Sequence, residues 1–330
     1  MRRSLILGAA VLLVLVLADG LIWHWAVGVV MRETQTWAQA RRAEGWTVRM
    51  GAPEQAGWPL AARIRVPGVE INAPAGGLPG GVTYVAGQAL IGVGLLSYRQ
   101  VEISLDGPQS IRLGAAPAVP FTTRRNVIAV ELPENGVASA ADIRIEQLSA
   151  VLAPNAAPVV VARADARIVS APNELRARVT TQDIDLPASP LVTGMGGRMA
   201  RFAFDGALVG ATAPTMAAWR DAGGSVTVRQ FGLAWGQLAA SGSATLRLDG
   251  ALQPAGFAEA EISGTAETLD ALANAKLLAP RAAMAAKAVL ALLQRPRASG
   301  PALVQLPLVL QDRTLQMGRI PLVKLPELVW

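Results

Sequence analysis

The chain has no cysteine and a single histidine among its 330 residues. The first absence removes disulfides, thiolate nucleophiles and cysteine-ligated metals together. It says little about compartment, because an oxidising space permits disulfides without requiring them. The second leaves a serine nucleophile without an imidazole base, since His24 lies inside the apolar N-terminal run. Lysine is scarce as well. Lys276, Lys287 and Lys324 are the only three, so the net charge of +6 is carried by arginine. Aromatic residues make up 5% of the chain, which means that any core is assembled from small aliphatic side chains.

Motifs for familiar chemistry are missing too. "GGSVTV" (223–228) lacks the closing glycine of a nucleophile elbow. Glycine-rich "GLPGG" (77–81) and "GMGG" (194–197) have neither the lysine nor the strand-to-helix setting of a phosphate loop, and read as loops. The closest aspartates, "DID" (183–185), fit a solvated strand face better than a metal site. The sequence therefore predicts a protein that is not an enzyme, with no catalytic residues, no metal ligands and no cofactor. Nucleic acid is not an expected partner either. The arginines alternate with acids, as in "DIRIEQL" (142–148) and "ELRARVTTQDIDL" (174–186), and no stacking aromatics lie among them.

What is abundant is apolar character, 52% of residues with a mean hydropathy of +0.36. Its longest run follows Arg2 and Arg3 at the N-terminus. Ser4 to Trp25 is 22 residues, and a helix of that length spans roughly 33 Å, enough to cross a bilayer. Trp23 and Trp25 stand at its far end, where indoles favour the headgroup region, and Asp19 lies close enough to that end to reach interfacial water. Arg2, Arg3, Trp23 and Trp25 are thus the expected membrane-interface residues. By the positive-inside bias the N-terminus is cytoplasmic and the rest is exported. A signal peptide cut after Val16-Leu17-Ala18 is the rival reading, but apolar character continues through Val30 with no turn signal until Gly45, which favours a retained anchor. Either way the bulk of the chain is exported.

From Trp46 onward, alternating segments and Gly/Pro/Asn/Asp turns repeat. Ile64/Val66 and Val69/Ile71 flank Pro67-Gly68. Val101/Ile103/Leu105, Val127 to Glu131, Ile143/Ile145, Leu175/Ala177/Val179, Val226/Val228 and Leu246/Leu248 alternate with polar neighbours. "ENG" (134–136) and "LDG" (248–250) are turns. Short turns between such strands predict an antiparallel sheet with one apolar face. "FAEAEISGTAETLDAL" (257–272) switches from this period to that of a helix. Helices are expected at 213–224, at 265–279 with Thr268 as N-cap, and from Pro280. The last of these, flanked by Arg281, Lys287 and Arg295, could lie on an anionic membrane; its alanines favour packing on the sheet. A hairpin turning near Gln311-Asp312 closes the chain. Prolines at 307, 321 and 326 mark its last strand as an edge or as already irregular. A loose echo links 48–62 with 228–240, each carrying Val-Arg, Trp and Leu-Ala-Ala.

The expected fold class is α+β, mainly β: an N-terminal transmembrane helix, then an extended, curved antiparallel sheet of hairpins with a few helices packed toward one face. Residues 1–44 form the cytoplasmic stub, anchor and helical extension. Residues 45–330 form the exported β-rich domain, with two similar halves meeting near 190–225.

Several stretches together carry a family resemblance: "AQARRAEGWTV" after the anchor, "GAPEQAGWPLAARIRV", the block 223–264, and the closing "LPLVLQDRTLQMGRIPLVKLP". They resemble the bacterial envelope family known as domain of unknown function 2125, over nearly the whole chain. The resemblance implies a membrane helix followed by an exported β-rich body and supplies no catalytic residues. The layout is more distantly similar to AsmA-like envelope proteins, whose anchored sheets form grooves linked with lipids.

The resulting expectation is a non-enzymatic, single-pass protein of the bacterial inner membrane, with the bulk of the chain periplasmic, that binds or guides a lipid or other hydrophobic ligand along the apolar sheet face. The alternative is an envelope scaffold acting through contacts with other envelope proteins. An open groove would expose the apolar face, and a filled core would bury it.

Overall fold

The computed structural model describes residues 2–59, 61–74, 81–94, 97–114, 116–131, 140–210, 213, 215–295, 302–318 and 320–328, with the side chains of 2–18, 97–98, 282, 293–295, 320 and 322–323 left aside. It opens with helix α1 (Arg2–Ala43). Arg42 ends that helix by donating from Nε and Nη2 to the Val48 carbonyl at 3.0 and 2.7 Å, and Arg41 stacks over the Trp46 ring. Both contacts fix the angle at which the chain leaves the helix and enters the sheet.

The sheet begins with two short strands, β1 (Thr47–Arg49) and β2 (Glu54–Ala56), which share one flank of β3 (Ala61–Ala73). Then come β4 (Val82–Gly94) and β5 (Ser97–Leu113). The next position is shared by β6 (Val119–Thr122) and β7 (Arg125–Glu131), both lying between β5 and β8 (Ala140–Ala150). β9 (Val159–Ala171), β10 (Glu174–Asp185), β11 (Arg198–Val209), β12 (Ser225–Trp235), β13 (Leu238–Leu248) and β14 (Pro254–Ser263) continue it. Short helices α2 (Pro190–Met195) and α3 (Met216–Asp221) stand before β11 and β12. After β14 come α4 (Thr265–Asn274), α5 (Pro280–Leu293), β15 (Gln294–Arg295), β16 (Leu303–Gln311), β17 (Thr314–Met317) and the edge strand β18 (Ile320–Lys324). Every pairing is antiparallel, and β14 meets β16 directly across the inserted helices. The protein is mainly β, a single large antiparallel sheet with a few helices. Among the described residues its two ends do not pair with each other.

One level of this sheet is irregular in strand after strand. Gly68 in β3 and Gly107 in β5 have positive φ, as do Gln147 in β8 and Asp183 in β10. The register omits Gly68 opposite Gly87, and it omits Ala162 opposite both Gln147 and Asp183. β6 gives way to β7 at Thr123 and Arg124, at the same level. The result is a crease crossing β3 to β11, where the alternation of faces changes phase along the strand, except in β5, whose two residues Gly107 and Pro108 opposite Gly87 keep its phase. Positive φ is what a bulge of this kind requires, and it bends and twists the strand locally. Pro67-Gly68 is therefore a kink within one 13-residue strand; the turn expected there does not form. The left-handed glycine changes the direction of the strand without ending its ladder.

Two further expectations need correcting. Helix α4 starts at Thr265 behind Gly264, which is left-handed and has no side-chain cap bond. Thr268 lies inside the first turn, where its Oγ1 donates to the Gly264 carbonyl at 2.7 Å. The same helix ends at Asn274, five residues short of the expected 279. The turn expected at 134–136 and the loop at 77–80 lie outside the described residues. Among those described, no helix is long and apolar enough to cross a membrane. Fifteen residues of the expected span, 4–18, have side chains outside the description.

Candidate functional site

Cross-strand partners share a face, so the register shows which side chains line each side of the sheet. One row of directly opposed residues runs through Ile64, Ile91, Ile103, Ile128, Ile143, Ala166, Val179, Phe204, Phe231, Gly242, Ala260 and Leu306. Those twelve residues come from twelve successive strand positions, and none is polar. A parallel row runs from Ile145 through Ala164, Thr181, Phe202, Leu233, Ala240 and Ile262 to Val304, with one hydroxyl in it. Beyond the crease a third row joins Leu148, Val161, Ile184, Met199, Trp235 and Leu238. The left-handed backbone at Asp183 and the shift of register at Met199/Arg201 keep these residues in the apolar set. A strict period of two read along the chain loses them.

The opposite face carries charge. Asp205 is held between Arg178 at 2.6 Å and Arg229 at 2.8 Å. Asp142 meets Arg167 at 2.7 Å, and Asp165 meets Arg163 at 2.6 Å and Arg144 at 3.5 Å. These guanidinium groups hold both Asp165 and Asp205 below the usual carboxylate range, chiefly through hydrogen bonds from Arg163 and Arg178 respectively. Arginines on this face are thus engaged with carboxylates in ion pairs along and across the strands.

The apolar face is covered unevenly. Over β3 to β5 it meets α1: Val27, Val30, Ala62, Ile64, Val66, Val69, Ala86, Ala89 and Leu105 form one buried cluster. Trp23, expected at the membrane interface, turns toward this cluster and donates from Nε1 to the Ala61 carbonyl at 2.9 Å. Trp25, two residues along the helix and so on its other side, is exposed, together with Leu21 and Ile22. The side chains of Arg2 and Arg3 lie outside the described residues.

Past β7 that cover ends. Among the described residues no helix packs across β8 to β12. Trp219 of α3 reaches only the end of β11, where its Nε1 donates to the Val209 carbonyl at 2.6 Å. Helix α4 touches β13, and α5 touches β16. The side chains of this stretch are half-buried by their neighbours on the same sheet, and Phe202 is 37% exposed. The whole chain exposes 20,238 Å² at 34.4 kDa. A compact monomer of that mass exposes about 13,000 Å².

Where the covered and uncovered stretches meet, polar groups break the apolar face. Tyr84 Oη donates to Gln109 Oε1 at 2.5 Å, Asn126 Nδ2 donates to the same oxygen at 2.8 Å, and Gln109 Nε2 donates to Thr123 at 3.0 Å. Burial pushes the Tyr84 hydroxyl up to about 12. Gln109 and Asn126 sit on either side of the crease and bridge the place where β6 hands over to β7, so their amides serve a break in the ladder. Elsewhere an open cleft of about 490 Å³ between α2 and α4 is lined by Thr193, Glu267, Asp270 and Asn274. Asp270 is engaged by Lys287, and no nucleophile–base pair stands beside it. Asp185 of the "DID" stretch pairs with Arg198 at 2.7 Å. Among the described residues no group of three or more His, Asp or Glu could hold a metal.

The described residues form an antiparallel meander with one charged and one apolar face, the apolar face covered by α1 over β3 to β5 and touched by α4 and α5 at β13 and β16. The chain belongs to the family described as uncharacterized protein conserved in bacteria (DUF2125), whose sequence profile matches residues 23–326. The match begins at Trp23, an α1 residue that packs against the sheet. No curated protein and no solved structure matches the chain.

Proposed function

We propose that this is a non-enzymatic, membrane-anchored protein of the bacterial envelope that binds or guides lipids or similar hydrophobic ligands along the uncovered apolar face. The observation that carries the reading is the continuity of the apolar rows from beneath α1, where they are core, to β8–β12, where none of the described helices roofs them. A contiguous apolar surface of this extent is costly to leave against water and marks a place for a ligand. Small residues such as Ala164, Ala166, Ala240 and Gly242, set between Phe202, Phe204 and Phe231, leave shallow channels suited to flexible acyl chains. Anchoring by the N-terminal helix in the inner membrane, with the sheet in the periplasm, fits the exposed apolar side chains of Leu21, Ile22 and Trp25 beside the docked residues of α1. The alternative, a scaffold recruiting envelope proteins by strand addition, is less well supported. One edge is broken between β1 and β2, and the other is a five-residue strand containing Pro321, both of which blunt an edge.

The test uses the full chain, because Val27 and Val30 of α1 belong to the core of the sheet. A photo-activatable benzoylphenylalanine placed at Phe204 or Phe231 should yield lipid-mass adducts in cells, and one at Thr227 on the opposite face should not. Absence of lipid adducts at both apolar positions would sink the proposal.

A further inference from the structure

Helix α5 has two apolar sides, and the larger residues are on the outer one. Ala283 is buried against the sheet, where Val304 of β16 is also fully buried. Ala286 and Leu290 follow on that side at helical spacing. The alanines make this a thin, close contact, as the sequence suggests. The opposite side carries Arg281, Met284, Ala285, Ala288, Val289 and Leu292, spaced as i, i+3, i+4, i+7, i+8 and i+11, all exposed. Met284 is 68%, Val289 50% and Leu292 86% exposed. A helix that places its longest apolar residues in water has an unmet contact.

Charge indicates what meets it. Helix α5 contains no acidic residue. Lys276 and Arg281, at its entry, are exposed and make no ion pair with a described carboxylate, and the sequence places Arg295 and Arg297 directly after the helix. The nearest acid, Asp270, is already paired with Lys287 at 2.5 Å. Leu277, half exposed, extends the apolar stripe toward the cationic end. A stripe of Leu, Met and Val with cations at both ends and no anion is the pattern of a helix lying in the interfacial plane of an anionic bilayer. A protein partner of matching chemistry would need an acidic apolar groove. An anionic lipid surface supplies both properties without shape complementarity.

We infer that the outer face of α5, through Met284, Val289 and Leu292 with Lys276 and Arg281, docks on an anionic lipid bilayer surface. This contact is separate from the uncovered apolar face of β8–β12 and from α1. Because β16 stands at the opposite end of the apolar rows from β3, it gives the sheet a second lipid contact far from α1.

The absence of cysteine makes the test direct, since each introduced cysteine is a single labelling site. Full-length Leu292→Cys, Val289→Cys and, as a control in the β9–β10 turn, Asn173→Cys carry an environment-sensitive nitrobenzoxadiazole. Each is diluted from mild detergent into vesicles containing a doxyl-labelled quencher lipid, either phosphatidylcholine alone or phosphatidylcholine with 30% phosphatidylglycerol. The N-terminal helix can bring the chain to both vesicle types, so the readout is the difference between label positions. At positions 289 and 292, quenching at least threefold stronger in the anionic vesicles is expected, with none at 173 in either. Lys276→Glu together with Arg281→Glu should remove most of that difference without altering the fold measured by circular dichroism. Equal quenching in both vesicle types, or none at 289 and 292, overturns the inference. So does label self-quenching that rises with protein concentration without vesicles, which would assign the stripe to a second copy of the chain. Lipid adducts at Phe204 and Phe231 report on the groove alone, so either proposal can fail while the other stands.

Discussion

The apolar face under α1 and the same face past β7 are built from one pattern of residues yet have different fates. Under α1, Ile64 is fully buried, and its row neighbours Ile91, Ile103 and Ile128 pack against the same cluster. Three strands past Ile128, Val179, Phe204 and Phe231 occupy the same row with no described helix packed over them. Alternation sets which face is apolar. Whether that face becomes core depends on a separate element packed over it, as α1 is over β3 to β5. The first region holds the chain together, and the second is available for a ligand.

That contrast is sharpest in paired deletions. Ile64→Ala should cost about 2–5 kcal/mol, because it leaves a cavity between helix and sheet that cannot collapse. Phe204→Ala should cost less, about 1–2 kcal/mol, since the ring is only partly buried and no described helix closes over the space it leaves. Chemical denaturation of the two full-length variants measures the difference. Equal losses would mean that the second region is as well packed as the first. On the charged face, Asp205→Asn should cost less still, under about 1 kcal/mol, as ion pairs at the surface do. Its signature is in pH. Asp205 is held below its unfolded value by Arg178 and Arg229, so its contribution is present above the unfolded carboxylate range and disappears as pH falls through the lower folded value. The wild type should therefore lose stability relative to Asp205→Asn on acidification below about pH 4, which thermal melts across that range can follow.

The smallest effect is alkaline. Tyr84 is raised from 10.0 to about 12 by burial at the boundary between the two regions. A raised folded value means that its contribution is complete below pH 10.0 and is lost as pH climbs toward 12. In a spectrophotometric titration one of the two tyrosines should ionise only near 12. Ionisation near 10 would place Tyr84 in water and the boundary of the covered region closer to α1.

Much of the sheet was legible in the chain. Val101, Ile103 and Leu105 alternate without interruption and lie on β5, and Val127 to Glu131 lie on β7. Strands β4, β9 and β11 were harder to read. Gly87, Ala162 and Ala200 lie on the crease, where alternation changes phase, so an apolar period of two breaks in mid-strand. The same crease disguised β3 as two segments about a turn. The apolar face itself was readable from "FAEAEISG", whose alanines point to it while Phe257 and Glu259 point away. Its cover was not, because Val27 meets Ile64 across 37 positions of sequence, and no local period encodes a contact of that separation. The outer stripe of α5 was visible as spacing, but which of its two sides meets the sheet needed Val304.

An unclosed meander also behaves as a ruler. Twelve strand positions at about 4.8 Å give the isoleucine–phenylalanine row a length of about 50 Å along the sheet. Each added hairpin would extend it by two spacings while preserving direction and facing, and no existing contact would have to change. Loss of a hairpin would shorten it in the same quantised way. A barrel fixes its circumference when it closes. This sheet, whose end strands stay apart, can be lengthened one hairpin at a time to match whatever distance or ligand it must span.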